Sequence, residues 1–152
     1  MNLFVSANDA KLVRDFGRDV FPLDPGPDTL TVIDLDEARV LATVPVQNSI
    51  VGPPQAVALS PDGSLAVVAA PTSYDRAAGV QRFADVLQVV QLRTEPPAVE
   101  TIPIGAHPQS VAFTPDGARL LATTVAGTVL LFDVADGAVE LRQRLNLSAG
   151  SL

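Results

Sequence analysis

A ten-residue phrase occurs twice in this chain, as "PQAVALSPDG" at residues 54–63 and as "PQSVAFTPDG" at residues 108–117. Internal repetition constrains a fold more tightly than composition does, because each copy must build the same local structure and the copies must then pack on one another. Two further elements recur in step with the phrase. "TLTVIDL" from Thr29, "VLQVVQL" from Val86 and "TVLLFDV" from Thr128 start 57 and then 42 residues apart, and "TVPV" at residues 43–46 returns as "TIPI" at 101–104 and loosely as "LRQRL" at 141–145.

These segments are short, rich in β-branched residues and bounded by Gly, Pro and Asp, which predicts strands and an all-β fold. The "PDG" sequence predicts a tight turn. Pro61 and Pro115 preset φ, Asp62 and Asp116 bond back to the turn backbone, and Gly63 and Gly117 accept positive φ. Four strands per unit follow, A to D. The second unit reads "QAVALS", "SLAVVAA", "VLQVVQL", "AVETIPI", and the third reads "QSVAFT", "RLLATTV", "TVLLFDV", "VELRQRL". The first unit has only "LFVSA" as B, followed by C and D.

Strand D carries Pro45 and Pro103, which cannot donate to a ladder, so D is expected at a sheet edge. Strands A and C are apolar on consecutive positions, as in a sheet covered on both faces. A four-stranded antiparallel sheet sandwiched between copies of itself is a propeller blade, and a 42-residue period suits one. The expected architecture is a partial β-propeller of about two and three-quarter blades. Residues 1–47 give strands B to D of the first, 48–104 the second, 105–147 the third, and 148–152 the start of another strand A.

"HPQSVAFTPDG" at residues 107–117, "PQAVALSPDG", the "TVIDL" type of C strand and "FVSAN" at residues 4–8 together resemble the YVTN-type β-propeller repeat family. Its relatives include lactonase-like and amine-dehydrogenase heavy-chain propellers. The match has departures: an extra residue precedes Asn8, and Gln91 stands where Asp34 and Asp133 stand in the other units. The resemblance implies a seven-bladed parent of which this chain is a segment. Two and three-quarter blades cannot close alone, so the expected neighbours are the remaining blades of the same propeller or identical chains that complete the ring.

Hydrophobic residues make up 47% of the chain and charged residues 18%, so an open arc with uncovered apolar sheet faces fits the composition. No apolar run approaches the ~20 residues of a membrane-spanning helix. A net charge of −7 repels phosphate backbones and anionic lipid, which argues against nucleic acid and membrane partners. Cysteine is absent, no G-x-S-x-G, P-loop or G-x-G-x-x-G occurs, and the Asp-rich stretch over residues 9–28 lacks EF-hand spacing. No catalytic residue, metal ligand set or cofactor is therefore assigned. "MNLFVSANDAK" lacks the basic and apolar regions of an export signal, while full-length relatives of the resembling family are often periplasmic or secreted, so the compartment is left open.

In a blade with alternating strands, the B–C and D–A connections share one face. The B–C connections swell to residues 7–28 and 70–85 in the first two units and shrink to about "VAGT" in the third. Long polar loops on a rigid scaffold are where binding groups concentrate. The candidate ligand-binding residues are Asn8, Lys11, Arg14, Arg18, Tyr74, Arg76 and Arg82 on these loops, with Gln55, His107 and Gln109 nearer the axis. Arg offers a planar fork for carboxylates, so a small carboxylate-bearing or sugar-like ligand, or a protein partner, suits this surface. The plain alternative is that these charges pair with the neighbouring Asp9, Asp15, Asp19, Asp75 and Asp85.

The expected function is a binding or interaction scaffold without chemistry of its own. The rival reading is a lactonase-like hydrolase working through His107, the single His, and loop carboxylates. A third is a scaffold subunit of a redox enzyme, as the resemblance to amine-dehydrogenase heavy chains implies.

Overall fold

The computed structural model describes residues 2–49, 55–69 and 71–147. Residues 148–152, read above as the start of a further strand, lie outside them. The described residues hold fifteen strands and no helix. Three antiparallel sheets account for most of the chain. Sheet 1 has three strands, β1 (Leu3–Asn8), β4 (Thr29–Asp34) and β5 (Arg39–Pro45), in that spatial order. Sheet 2 has the order β6 (Val57–Leu59), β7 (Leu65–Val68), β10 (Val86–Gln91), β11 (Ala98–Pro103). Sheet 3 runs β12 (Pro108–Phe113), β13 (Arg119–Thr124), β14 (Thr128–Ala135), β15 (Ala138–Asn146).

The proline-bearing strands β5 and β11 lie at sheet edges, where a missing N–H costs no ladder bond. The repeated phrase forms the same turn in both copies. Gly63 N–H donates to the Ser60 carbonyl at 2.9 Å and Gly117 N–H to the Thr114 carbonyl at 2.8 Å. Both glycines have positive φ, +69° and +71°, which a side chain resists. Asp62 Oδ1 accepts from the Ser64 N–H at 3.1 Å and Asp116 Oδ1 from the Ala118 N–H at 3.0 Å.

The sheets stack face to face. Alternate residues of β7 point to opposite sides: Leu65 and Val67 pack with Leu87 and Val89 against Leu120, Ala122, Leu130 and Phe132 of sheet 3. Ala66 and Val68 pack with Val90 against Val5, Leu30, Val32 and Val44 of sheet 1. Sheet 2 is thus covered on both faces, and this is why β7 is apolar and buried at every position. At about 25 cal/mol per Å² of apolar area, these two interfaces are the main force holding the chain together.

Two differences from the sequence reading stand out. The long B–C connections are not irregular loops but carry β-hairpins, β2 (Val13–Asp15) with β3 (Arg18–Val20), and β8 (Thr72–Asp75) with β9 (Val80–Phe83). Short ladders with cross-strand charge pairs at Arg14–Asp19 and Arg82–Asp75 provide the backbone pairing that the polar sequence conceals. Strand β6 is also shorter than the "QAVALS" segment suggests, spanning three residues only.

Candidate functional site

The first hairpin follows β1 and the second follows β7, so both rise from the same end of sheets 1 and 2. Phe21, just past β3, stacks on Tyr74 of β8 with ring centroids 3.9 Å apart and planes 6° from parallel. The Arg76 guanidinium lies 5.9 Å from the Tyr74 ring centroid on a cation–π approach. A planar layer therefore joins the two hairpins.

Beneath that layer sits a buried charge cluster. Lys11 Nζ donates to Asp9 Oδ1 at 3.0 Å, to Asp28 Oδ2 at 2.5 Å and to the Asn48 carbonyl oxygen. Asp28 is bound again through Oδ1 by the Ala10 N–H at 2.9 Å and through Oδ2 by the Asn48 N–H at 3.0 Å. The Thr72 hydroxyl donates to the same Asn48 carbonyl at 3.0 Å, which links β8 to the cluster. All three ammonium protons of Lys11 have acceptors, so the buried cation is compensated and serves to tie the connections after β1, β5 and β7. Asn48 Oδ1 and Gln81 Nε2 are buried with no partner among the described residues.

A cleft of about 330 Å³ adjoins this cluster, lined by Lys11, Asp28, Gln47, Thr72, Tyr74 and Arg76 together with the Pro25–Gly26–Pro27 segment. Of the residues singled out from sequence, the structure gathers Lys11, Tyr74 and Arg76 here. Arg14 and Arg18 do not converge. Arg14 pairs in register with Asp19 and Arg18 with Asp15, so alternation puts the two guanidiniums on opposite faces of the first hairpin. Arg14 Nε binds Asp19 Oδ1 at 3.0 Å, and Arg82 binds Asp75 Oδ2 at 2.6 Å on the face of its hairpin opposite Tyr74. The Arg82 hydrogen bond, aided by the Ala78 N–H, holds the Asp75 carboxyl below its usual pKa.

Asn8 donates through Nδ2 to the Ser6 carbonyl at 3.2 Å and the Thr31 hydroxyl at 3.2 Å, which places it on the surface of sheet 1. Gln55, His107 and Gln109 belong to the side of sheets 2 and 3. The Gln55 carbonyl accepts from the Val111 N–H at 3.0 Å. Gln109 is the extra residue of a bulge between Pro108 and Ser110 and is exposed. His107 Nδ1 donates to the Ala84 carbonyl at 2.7 Å and its ring meets the Phe83 ring edge-on, centroids 4.9 Å apart. No group of three or more His, Asp or Glu side chains among the described residues is placed to hold a metal ion.

Reading from sequence missed Phe21, Asp28, Gln47 and Thr72, and it missed the opposite face altogether. There a groove of about 640 Å³ runs between sheets 2 and 3, lined by the two "PDG" turns, Gln91, Arg93 and Asp136. In it, the hydroxyls of Ser60 and Ser64, the Ser64 N–H and the nearby Arg93 lower the Asp62 pKa to about 2. A pair of repeated turns facing one another was the available signal for this groove.

No known family profile matches the sequence, and no curated protein matches it. Solved structures do. Hydrazine synthase of Kuenenia stuttgartiensis is similar over 79% of this chain and 30% of its own, with 20% identity and a TM-score of 0.55. A Bacteroides uniformis protein assigned as a 6-phosphogluconolactonase is similar over 95% of this chain and 53% of its own, with 18% identity and a TM-score of 0.50. Both are propeller-like, and this chain spans under a third of one and about half of the other. At these identities the likeness concerns the fold.

Proposed function

We propose that this chain is a segment of a YVTN-type β-propeller, two and three-quarter blades long, that acts as a rigid binding scaffold through the cleft between its hairpins. The stacked antiparallel sheets, their edge strands and the propeller-like neighbours support the architectural part. The observation that carries the functional part is the Phe21–Tyr74 stack above the buried Lys11–Asp28 pair. Together they fix an aromatic face and the Arg76 fork over one small cleft. The edge of the stacked Tyr74 ring suits the C–H groups of a sugar, and the Arg76 guanidinium, which has no carboxylate partner among the described residues, suits a carboxylate. The ligand class is a small sugar acid.

Tyr74 is the single Tyr in a chain with no Trp, so intrinsic tyrosine fluorescence reads this cleft alone. Titration with glucuronate and gluconate is expected to change that emission saturably, and Arg76→Ala is expected to abolish the change. Emission that stays flat for both compounds, or binding indifferent to Arg76, removes the cleft as the site.

A second reading, a lactonase-like hydrolase, draws support from one feature. His107 spends Nδ1 on the Ala84 carbonyl, and its Nε2 has no hydrogen-bond partner among the described residues, as a general base requires. Lactone hydrolysis lost in His107→Ala would establish that reading over the scaffold.

A further inference from the structure

One side chain of the cleft between the hairpins has a fixed backbone and an idle head group. Gln47 N–H donates to Gln88 Oε1 at 2.7 Å, and the next residue is held in turn, Asn48 N–H donating to Asp28 Oδ2 at 3.0 Å. The Gln47 side chain is exposed, lines the cleft and makes no hydrogen bond among the described residues. Its anchor departs from the repeat. The C strands read "TLTVIDL", "VLQVVQL" and "TVLLFDV", so Gln88 stands where the other units have Thr31 and Leu130. Gln88 is 9% exposed, in a strand of sheet 2 whose neighbouring positions are buried. Burying a carboxamide there costs free energy that an aliphatic residue would not. The bond to Gln47 offsets that cost and ties the connection after β5 to sheet 2.

We propose that Gln47 determines which ligand this cleft accepts, by bonding a pair of adjacent hydroxyls, and that Gln88 is the residue that positions it. Other polar groups of the lining are already spent: Lys11 on Asp9, Asp28 and the Asn48 carbonyl, Asp28 also on two N–H groups, and the Thr72 hydroxyl on the Asn48 carbonyl. A carboxamide sets an acceptor oxygen beside two N–H donors in one plane, so one ligand hydroxyl donates to it while its neighbour accepts. The Arg76 fork holds a carboxylate but does not tell a sugar acid from any other acid. Contact with the hydroxyls does, and a donor–acceptor group held in place before binding loses little freedom in making it. This inference rests on the cleft reading above and names the part of the ligand that Gln47 bonds.

Tyr74 emission is titrated with glucuronate and with cyclohexanecarboxylate, a ring acid of the same size that carries no hydroxyl. Gln47→Ala is expected to weaken glucuronate about tenfold, the order of one or two neutral hydrogen bonds, and to leave cyclohexanecarboxylate unchanged. Gln88→Leu, which installs the residue of the third unit, is expected to shift the ratio of the two affinities in the same direction. General damage to the cleft would weaken both acids alike, so that ratio reports the placement of Gln47 and not the integrity of the fold. If the parent chain binds glucuronate but Gln47→Ala leaves the ratio as it was, the role of Gln47 is overturned and the cleft stands. If only Gln88→Leu leaves the ratio as it was, the positioning role of Gln88 is overturned. If the parent chain responds to neither acid, the cleft reading fails and this inference fails with it.

Discussion

Gln91 Nε2 donates to the Gly137 carbonyl oxygen at 2.7 Å, a bond from the end of β10 in sheet 2 to the β14–β15 turn of sheet 3. Gln91 is the position at which the second unit departs from the Asp of the other two. Asp34 spends its carboxylate within its own unit on the N–H groups of Asp36 and Glu37, and Asp133 spends its own on Arg142. A carboxylate cannot donate to a carbonyl, so the departure is what allows this bond between sheets.

Restoring the repeat with Gln91→Asp is therefore expected to destabilise the chain although it brings the unit closer to its siblings. The loss is one partly buried hydrogen bond with an acceptor left against a carboxylate, about 1–2 kcal/mol. Urea unfolding checks it: the midpoint falls while the slope is unchanged.

Lys11→Met leaves the buried Asp28 carboxylate without the Lys11 cation, and the expected cost is about 3–5 kcal/mol because that carboxylate cannot regain water. Arg14→Met removes a surface pair of the same chemistry, for which about 0–1 kcal/mol is expected. Thermal unfolding of the two variants side by side tests whether burial, not charge, sets the difference.

That contrast also explains which parts were legible in the sequence. The inner strands of sheet 2 are written in consecutive apolar residues because that sheet is covered on both faces and has no polar side, strands of sheets 1 and 3 alternate buried with less buried positions, and Pro45 and Pro103 mark sheet edges. The hairpins are not so written, since "VRD" and "RDV" are exposed at every position and no buried face imposes a pattern. Lys11 and Arg14 look alike in sequence, and the buried Asp28 carboxylate and the Asn48 carbonyl, 17 and 37 residues away, make one structural. The Phe21–Tyr74 stack likewise joins two insertions that carry no common motif.

Phe16 sits at the tip of the first hairpin with φ +43° and a fully exposed ring. A bulky side chain resists that left-handed backbone, whereas Asn tolerates it, and the ring packs on nothing that would be lost. Phe16→Asn is expected to stabilise the chain by about 0.5–1 kcal/mol. A fall in the unfolding temperature would show that the ring has a contact in the folded protein.

The Asp62 carboxyl is harder to protonate folded than unfolded, with a pKa of about 2 against the usual 3.8. A lowered acid pKa makes its stabilising contribution complete above 3.8 and erodes it as pH falls toward about 2. The causes are local, first the Ser60 hydroxyl, then the Ser64 hydroxyl and N–H, with the Arg93 guanidinium a smaller one. Because the group is largely exposed, solvent mutes the effect and a shallow slope is expected rather than a steep acid transition. Asp62→Asn keeps the shape of the turn but cannot titrate. Its stability at neutral pH is expected to be lower than that of the parent chain, and the gap should narrow across the window from 3.8 to about 2. Asp116, lowered in the same sense by the Thr114 hydroxyl, adds a parallel slope that Asp62→Asn retains and the double Asn variant loses. Urea midpoints measured across that window decide the matter: a gap that stays constant with pH would mean that Asp62 acts through its shape alone.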